Sequence, residues 1–131
     1  MDVQSNYETV ALKGNFFSEG LTDDMQICIQ NCQNCAQACE QLIQHCLSMG
    51  GLHSETRHIR LLQDCADICN LSARFMSRNS EHHTRTCEAC AEVCLSCAQD
   101  CERFGHDEMM KACAHVCLTN ADSCQRMSLT H

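Results

Sequence analysis

Fifteen of the 131 residues are cysteine, and most of them recur three or four positions apart. Residues with this spacing lie on one face of an α-helix, so each helix carries a row of thiols where a helical bundle normally carries leucine. Cysteine can serve as a small apolar core residue, but a cluster of this size is better explained by its reactivity. The rows contain Cys28, Cys32, Cys35, Cys39, Cys46, Cys65, Cys69, Cys87, Cys90, Cys94, Cys97, Cys101, Cys113, Cys117 and Cys124.

Such rows predict a site for soft metal ions, because thiolates select Cu(I), zinc or iron–sulfur clusters. Structural zinc takes a closed tetrahedron of four ligands, usually from two separated pairs on turns. Cu(I) accepts two or three sulfurs, and thiols at i and i+4, such as Cys28 and Cys32, lie about 5–6 Å apart at Cβ. One Cu(I) neutralises one thiolate, whereas zinc with four thiolates leaves two buried negative charges. The pattern therefore favours many Cu(I) ions, on the order of 15, and storage rather than enzymatic catalysis.

Two other interpretations of the thiols stay open at this point. The first is an iron–sulfur electron carrier, although iron–sulfur motifs normally lie on loops and end near proline, which this chain lacks. The second is sequestration of another soft metal such as zinc. The CxxC pairs that an iron–sulfur cluster would use are Cys32 with Cys35, Cys87 with Cys90, and Cys94 with Cys97.

Charge and composition restrict the partners and the compartment. The formal net charge of −8 argues against nucleic acid and against an anionic membrane surface. Residues 1–20 show neither a basic segment nor an apolar segment of the kind found in export signals. No stretch approaches the roughly 18 apolar residues of a membrane span. We therefore expect a cytoplasmic protein, in which thiols stay reduced.

Glycines and capping residues divide the chain into four predicted helices, about 22–49, 54–78, 81–104 and 107–127. Thr22, Ser54 and Ser80 are the predicted N-caps, and the glycines at 50, 51 and 105 are the predicted stops. No apolar alternation of period two predicts a strand. The fold class is therefore all-α, an antiparallel up-down-up-down four-helix bundle with a cysteine-lined core. Residues 1–21 form an N-terminal extension and residues 22–131 the bundle.

Extending each cysteine row by steps of three and four places thioether and imidazole ligands at both ends of the bundle. They are expected to form weaker, exchangeable sites next to the thiolate interior. His45 and His115 lie beside this row and are expected to be boundary residues. The row also includes Leu42, Leu62, Ser72 and Asn120, which interrupt the sulfur. One end gathers Met49, His58, His106 and Met110, and the other gathers Met25, Met76, His83 and Met127.

Four segments of the chain closely resemble the cytosolic type of bacterial copper storage protein. They are HCLSMGGLH at 45–53, HIRLLQDCADIC at 58–69, RTCEACAEVCLSCAQDCERFG at 85–105 and MKACAHVC at 110–117. The resemblance covers about residues 25–127. It implies a four-helix bundle that assembles as a homotetramer and holds many Cu(I) ions on its core cysteines. It also implies that copper enters at one end, for which the end with Met49, His58, His106 and Met110 is the expected choice.

Overall fold

The structure, a computed structural model, describes residues 20–129. It contains four helices, α1 (Asp23–Met49), α2 (Thr56–Ser77), α3 (His83–Cys101) and α4 (Glu108–Ser128). Each helix packs against the next one in the chain, and α4 packs against α1. Short 3-10 turns, Gly51–Ser54 and Glu102–Phe104, follow α1 and α3. The predicted all-α bundle is therefore confirmed. The predicted extension lies outside the described residues, except for its last two positions.

The first helix begins and ends where the sequence predicts. The Thr22 hydroxyl accepts a hydrogen bond of 3.1 Å from the Met25 amide, and two aspartates follow in the first turn, where the helix dipole favours negative charge. Gly50 ends the helix with φ of 70°, a left-handed conformation that suits glycine, and its amide donates to the Cys46 carbonyl. The chain can therefore reverse direction directly after the core ends.

The predicted N-caps of the second and third helices are wrong. Ser54 lies in the 3-10 turn, where its hydroxyl donates to the Gly51 carbonyl, and α2 starts at Thr56 without a side-chain cap. The Ser80 hydroxyl accepts from the His82 amide within the connection, and α3 starts only at His83. In both places an additional turn of backbone takes up the serine. Each helix therefore starts two residues later than predicted.

The core consists of thiols and small side chains rather than large aliphatic ones. Every cysteine is buried, with at most 3% of its surface exposed. Alanines on all four helices fill the space between them, and Leu42 and Leu62 are the only large, fully buried aliphatic residues in the described part of the chain. No helix within residues 20–129 combines the length and the apolar character that crossing a membrane requires. The bundle interior is therefore a column made mostly of sulfur, which a few other side chains such as Asn120 interrupt.

Candidate metal centre

All fifteen cysteines are free, buried thiols, and most of them contact another thiol in a network that runs through the bundle. Most of its contacts join different helices, so the row on each helix faces the rows on its neighbours. The Sγ–Sγ distances range from 3.5 Å, between Cys32 and Cys124, to 4.0 Å, between Cys113 and Cys117. Intermediate distances join Cys28 to Cys124, Cys35 to Cys65 and Cys117, Cys65 to Cys94, Cys69 to Cys90 and Cys94, and Cys90 to Cys94.

Within this network the sulfurs converge in groups that could each hold a metal ion. One group contains three thiols and two groups contain four, and within each group all sulfurs lie within 4.8 Å of one another. Cys35 and Cys65 belong to both groups of four. Two independent tetrahedral sites cannot both use Cys35 and Cys65 as ligands. The arrangement therefore favours a row of ions in which neighbouring ions share sulfur ligands. The groups are Cys28, Cys32 and Cys124; Cys35, Cys39, Cys65 and Cys117; and Cys35, Cys65, Cys69 and Cys94.

Asn120 is the only fully buried amide side chain among the described residues, and it lies inside the sulfur column. Its Nδ2 donates to Cys69, Cys94 and Cys90 at 3.3, 3.5 and 3.7 Å, and its Oδ1 accepts from Cys124 at 3.7 Å. The Asn120 amide does not ligate Cu(I) as sulfur does, so it interrupts the column of thiol ligands. Its N–H groups donate to the neighbouring sulfurs and thereby stabilise them as thiolates.

The thiols perturb one another's pKa values strongly. Hydrogen bonds donated by Cys117, Cys39 and Cys65 stabilise a thiolate at Cys35 and lower its pKa far below the usual range. The converse holds for Cys117, whose pKa is raised by Cys113 and Cys35. The first ionised sulfur in a group therefore keeps its neighbours protonated, until a metal ion replaces their protons.

At one end of the column the ligands are mixed: one thiol, one imidazole and one thioether lie together. The Cys46 Sγ lies 3.3 Å from His58 Nε2 and 3.5 Å from Met110 Sδ. His58 and Met110 are fully buried. Burial, followed by the negative charges of Asp107, Cys113 and Asp100, raises the pKa of Cys46 to about 11. This group, here called the His58 cluster, therefore offers three soft ligands to one ion.

A buried carboxylate that the sequence did not predict positions His58. Asp100 Oδ2 accepts a hydrogen bond of 2.5 Å from His58 Nδ1, and its Oδ1 accepts from Arg103 at 2.8 Å and from Arg57 at 3.3 Å. Since a carboxylate only accepts, the His58 proton resides on Nδ1 and the Nε2 lone pair points to Cys46. This carboxylate–imidazole arrangement is typical of metal-ligating histidines.

Two residues predicted for this end do not face the core. Met49 is 56% exposed and His106 is exposed as well, so their predicted inward position is wrong. Met49 is the last residue of α1, and His106 lies in the turn before α4, so the helical spacing that defines the row no longer applies to either. Of the four residues predicted here, His58 and Met110 alone reach the sulfur.

The opposite end of the column is closed by methionines. Met25, Met76 and Met127 are buried as predicted, and Cys87 donates to the Met76 thioether at 3.7 Å. His83 is only half-buried, because α3 starts at this residue and its Nδ1 donates to the Ser80 carbonyl at 2.8 Å. The imidazole predicted for this end therefore acts as a cap of the connection, and His58 remains the one fully buried histidine among the described residues.

The fold and these ligands define a metal-sequestering helical bundle, and the comparison with known proteins agrees. A model of the copper storage protein family matches residues 21–129, which confirms the resemblance seen in the sequence. The chain belongs to the copper storage protein family.

Three relatives of known structure have the same architecture. Nmul_A1745 from Nitrosospira multiformis is 38% identical, with a TM-score of 0.77 over 82% of this chain and 97% of that one. The Cu(I)-bound copper storage protein BsCsp3 from Bacillus subtilis is 32% identical, with a TM-score of 0.76 over 81% and 99%. A cytosolic copper storage protein from Streptomyces lividans, solved with five coppers, is 33% identical, with a TM-score of 0.77 over 83% and 95%. That protein has also been solved with ten copper equivalents.

Proposed function

We propose that this chain stores many Cu(I) ions on the thiolates of its core. The observation that carries the proposal is the set of fifteen buried, free thiols in one core, in which two neighbouring groups share sulfurs. The copper-bound states of BsCsp3 and of the Streptomyces protein support the same metal. Copper here is the cargo, and the proposed role is storage rather than enzymatic catalysis.

Charge in the interior favours Cu(I) over zinc. A tetrahedral zinc ion on Cys35, Cys39, Cys65 and Cys117 would leave two negative charges in a core where no lysine or arginine of the described residues is buried. Cu(I) neutralises its thiolates one for one, and a filled column is then uncharged. An iron–sulfur cluster gains no support, because the predicted CxxC pairs all lie within continuous helices rather than on loops.

We propose all fifteen cysteines as core ligands, with His58 and Met110 as additional ligands at the His58 cluster. This end is the proposed entrance, because its ligands are more weakly binding than a thiolate pair and allow exchange. The chemistry follows from the hydrogen bonds: Cu(I) replaces the Cys46 proton, while the His58 Nε2 lone pair is already directed to the same point. Met49 and His106 are not part of this proposal in the described conformation.

We further propose a cytosolic location and assembly with copies of the same chain. The location is supported by the Streptomyces relative, which is a cytosolic copper storage protein. Assembly as a homotetramer is implied by the family resemblance, and several large apolar side chains off the sulfur column are exposed, including Ile27, Leu47 and Leu71. Light scattering coupled to size-exclusion chromatography tests it, and a monomeric mass at micromolar concentration would contradict it.

Substituting all fifteen cysteines by serine tests the storage function. We expect the variant to lose nearly all Cu(I) binding, because no other soft ligand set of comparable size exists in the described core. The unsubstituted apo chain is expected to give a helical circular dichroism spectrum, because thiols pack as small apolar residues. A coil-like apo spectrum, or a serine variant that still takes up many ions, would contradict the proposal.

A further inference from the structure

A second convergent group of metal ligands lies outside the thiol column. His45 Nε2 lies 2.7 Å and His53 Nε2 lies 3.1 Å from the same oxygen, Oδ2 of Asp107. All three ligand atoms lie within 4.8 Å of one another. His45 is on α1, His53 in the 3-10 turn, and Asp107 precedes α4, so the group depends on the tertiary fold. The sequence predicted His45 as a boundary residue and did not single out the other two.

We propose that His45, His53 and Asp107 bind a borderline divalent cation of the Zn²⁺ class, separately from the Cu(I) in the core. Two imidazoles and one carboxylate, with a fourth position left for water, form a known type of zinc ligand set. The carboxylate oxygen is a hard donor that disfavours Cu(I), while two imidazole nitrogens disfavour Mg²⁺ and Ca²⁺. The ligand chemistry therefore differs in kind from that of the His58 cluster.

Two of the three ligand separations are already close to those around a bound ion. With Zn–N and Zn–O bonds of about 2.0–2.2 Å, neighbouring ligands of a tetrahedron lie roughly 3.3 Å apart. The two histidine–carboxylate separations, 2.7 and 3.1 Å, are shorter than this by about 0.6 and 0.2 Å. To bind the ion, each imidazole would carry its proton on Nδ1 and present the Nε2 lone pair where its N–H now faces Asp107. Since the three side chains are 15 to 20% exposed, water can reach the open position.

Contacts behind the three ligands hold them in place. Asp107 Oδ1 accepts from the amides of Met109 and Met110, at 2.9 and 3.3 Å, which leaves Oδ2 free to face the histidines. The His53 ring packs against Phe104 in a tilted arrangement, with a centroid distance of 4.4 Å, and meets the His45 ring edge-on at 5.9 Å. Metal sites depend on such outer contacts for ligand orientation. These two hydrogen bonds cap α4, so the fold itself holds the carboxylate in this orientation.

The site adjoins the proposed copper entrance. Phe104 contacts the rings of both His53 and His58, and His45 directly precedes Cys46 in the chain. An ion on the three ligands would join the end of α1, the 3-10 turn and the start of α4. We expect it to slow the passage of Cu(I) at this end. That consequence rests on the proposed storage function, whereas the divalent site itself does not.

Titration of the copper-saturated full chain with Zn²⁺, in competition with a chromophoric zinc chelator, tests the site. We expect one Zn²⁺ per chain in addition to the copper. The variants His53→Gln and Asp107→Asn should each lower the affinity roughly a hundredfold or more, since loss of an outer hydrogen-bond partner alone costs about 10–100-fold. Asparagine caps helices as well as aspartate does, so Asp107→Asn keeps α4 intact. The matched control is His115→Gln, at an exposed histidine on α4, which should leave the affinity unchanged.

Co²⁺ reports the chemistry of the site. Bound to nitrogen and oxygen it shows ligand-field bands without a sulfur-to-cobalt charge-transfer band, whereas binding to the core thiols produces that band. Zinc affinity that survives both substitutions, or a cobalt spectrum dominated by sulfur, would overturn the proposal. Copper content is measured first, so failed storage and a missing divalent site are separate results. If the chain takes up no copper, the number of Zn²⁺ ions bound by the unsubstituted apo chain is compared with that of His53→Gln and Asp107→Asn, and equal numbers would overturn the proposal.

The rate of copper transfer to a Cu(I) chelator tests the gating consequence. Zn²⁺ should slow the transfer from the unsubstituted chain and leave the rate from His53→Gln unchanged. Equal slowing of both proteins would mean that Zn²⁺ acts elsewhere, and would overturn this consequence without affecting the storage function.

Discussion

Replacing Asp100 by asparagine should weaken both the fold and the copper site at the His58 cluster. The carboxylate is 3% exposed and accepts hydrogen bonds from one buried imidazole and two guanidinium groups. The substituted amide would keep the shape and one accepting oxygen, but would lose the charge and part of these contacts. Since hydrogen bonds to charged groups contribute about 1.5–3 kcal/mol each, and Arg57 is largely exposed, we expect a net loss of about 2 kcal/mol. For a bundle of this size that lowers Tm by roughly 5–10 °C.

The effect on copper follows from the orientation of His58. Without the carboxylate, His58 Nδ1 loses its fixed acceptor and the Nε2 lone pair is no longer directed at Cys46. We expect Cu(I) affinity at the His58 cluster to fall about 10–100-fold, while binding to the thiol-only sites is unchanged. Chelator competition on the loaded chain measures this as one weakened ion, and thermal unfolding of the apo chain measures the loss of stability.

Asp122→Asn is the matched control for this substitution. Asp122 is on α4, its side chain is 72% exposed, and it pairs with Arg126 four residues later. A surface change of this kind should alter the free energy of unfolding by no more than about 0.5 kcal/mol and leave copper binding intact. If Asp100→Asn behaves like this control in both assays, the carboxylate does not position the histidine and the reasoning is refuted.

Three further predictions address the column itself. Leu62→Ala, at a fully buried position without ligand atoms, should destabilise the apo chain by about 2–5 kcal/mol in urea unfolding, while Cu(I) capacity stays the same; a drop in capacity would contradict it. Asn120→Cys should raise the capacity by one ion per chain in an anaerobic titration, because it places a thiol among Cys69, Cys90 and Cys94; an unchanged count would show that the column tolerates no further ion there. The apo chain should lose stability as pH rises from about 9 to about 11, because burial raises the pKa of Cys46 from 9.0 to about 11. In this range the unfolded chain loses the Cys46 proton while the folded chain still holds it, so rising pH favours the unfolded chain. The copper-loaded chain should not show this loss, and denaturation curves across the range compare the two.

The inward row was predictable from the sequence because helical spacing is a local property. Positions three and four apart identify the face that is buried, and all fifteen cysteines, with Met25, Met76, Met110 and Met127, lie where that spacing puts them. The same rule failed at Met49 and His106, since both lie where a helix stops and the spacing has no meaning beyond that point. The serine caps failed for a related reason, because short turns displaced the helix starts.

The polar groups around the His58 cluster were not predictable in this way. Asp100 lies next to Cys101 and has the pattern of an ordinary acidic residue on a solvent-exposed helix face. Its burial follows from His58, 42 positions away, and from two arginines that no local pattern connects to it. His53 and Asp107 are likewise brought together only by the tertiary fold, which places the side chain from the 3-10 turn beside the N-cap of α4. Helix capping explains why an aspartate stands at position 107, but it does not predict that its other carboxylate oxygen contacts His45 and His53.

Anaerobic titration of the reduced chain with Cu(I), read as ions bound per chain, tests the central claim most directly. If the connected thiols act together as a store, uptake continues to on the order of 15 ions, about one per cysteine, before a competing chelator retains copper. Saturation after one or two ions would show that the buried sulfur serves packing or a single site, and would contradict the account.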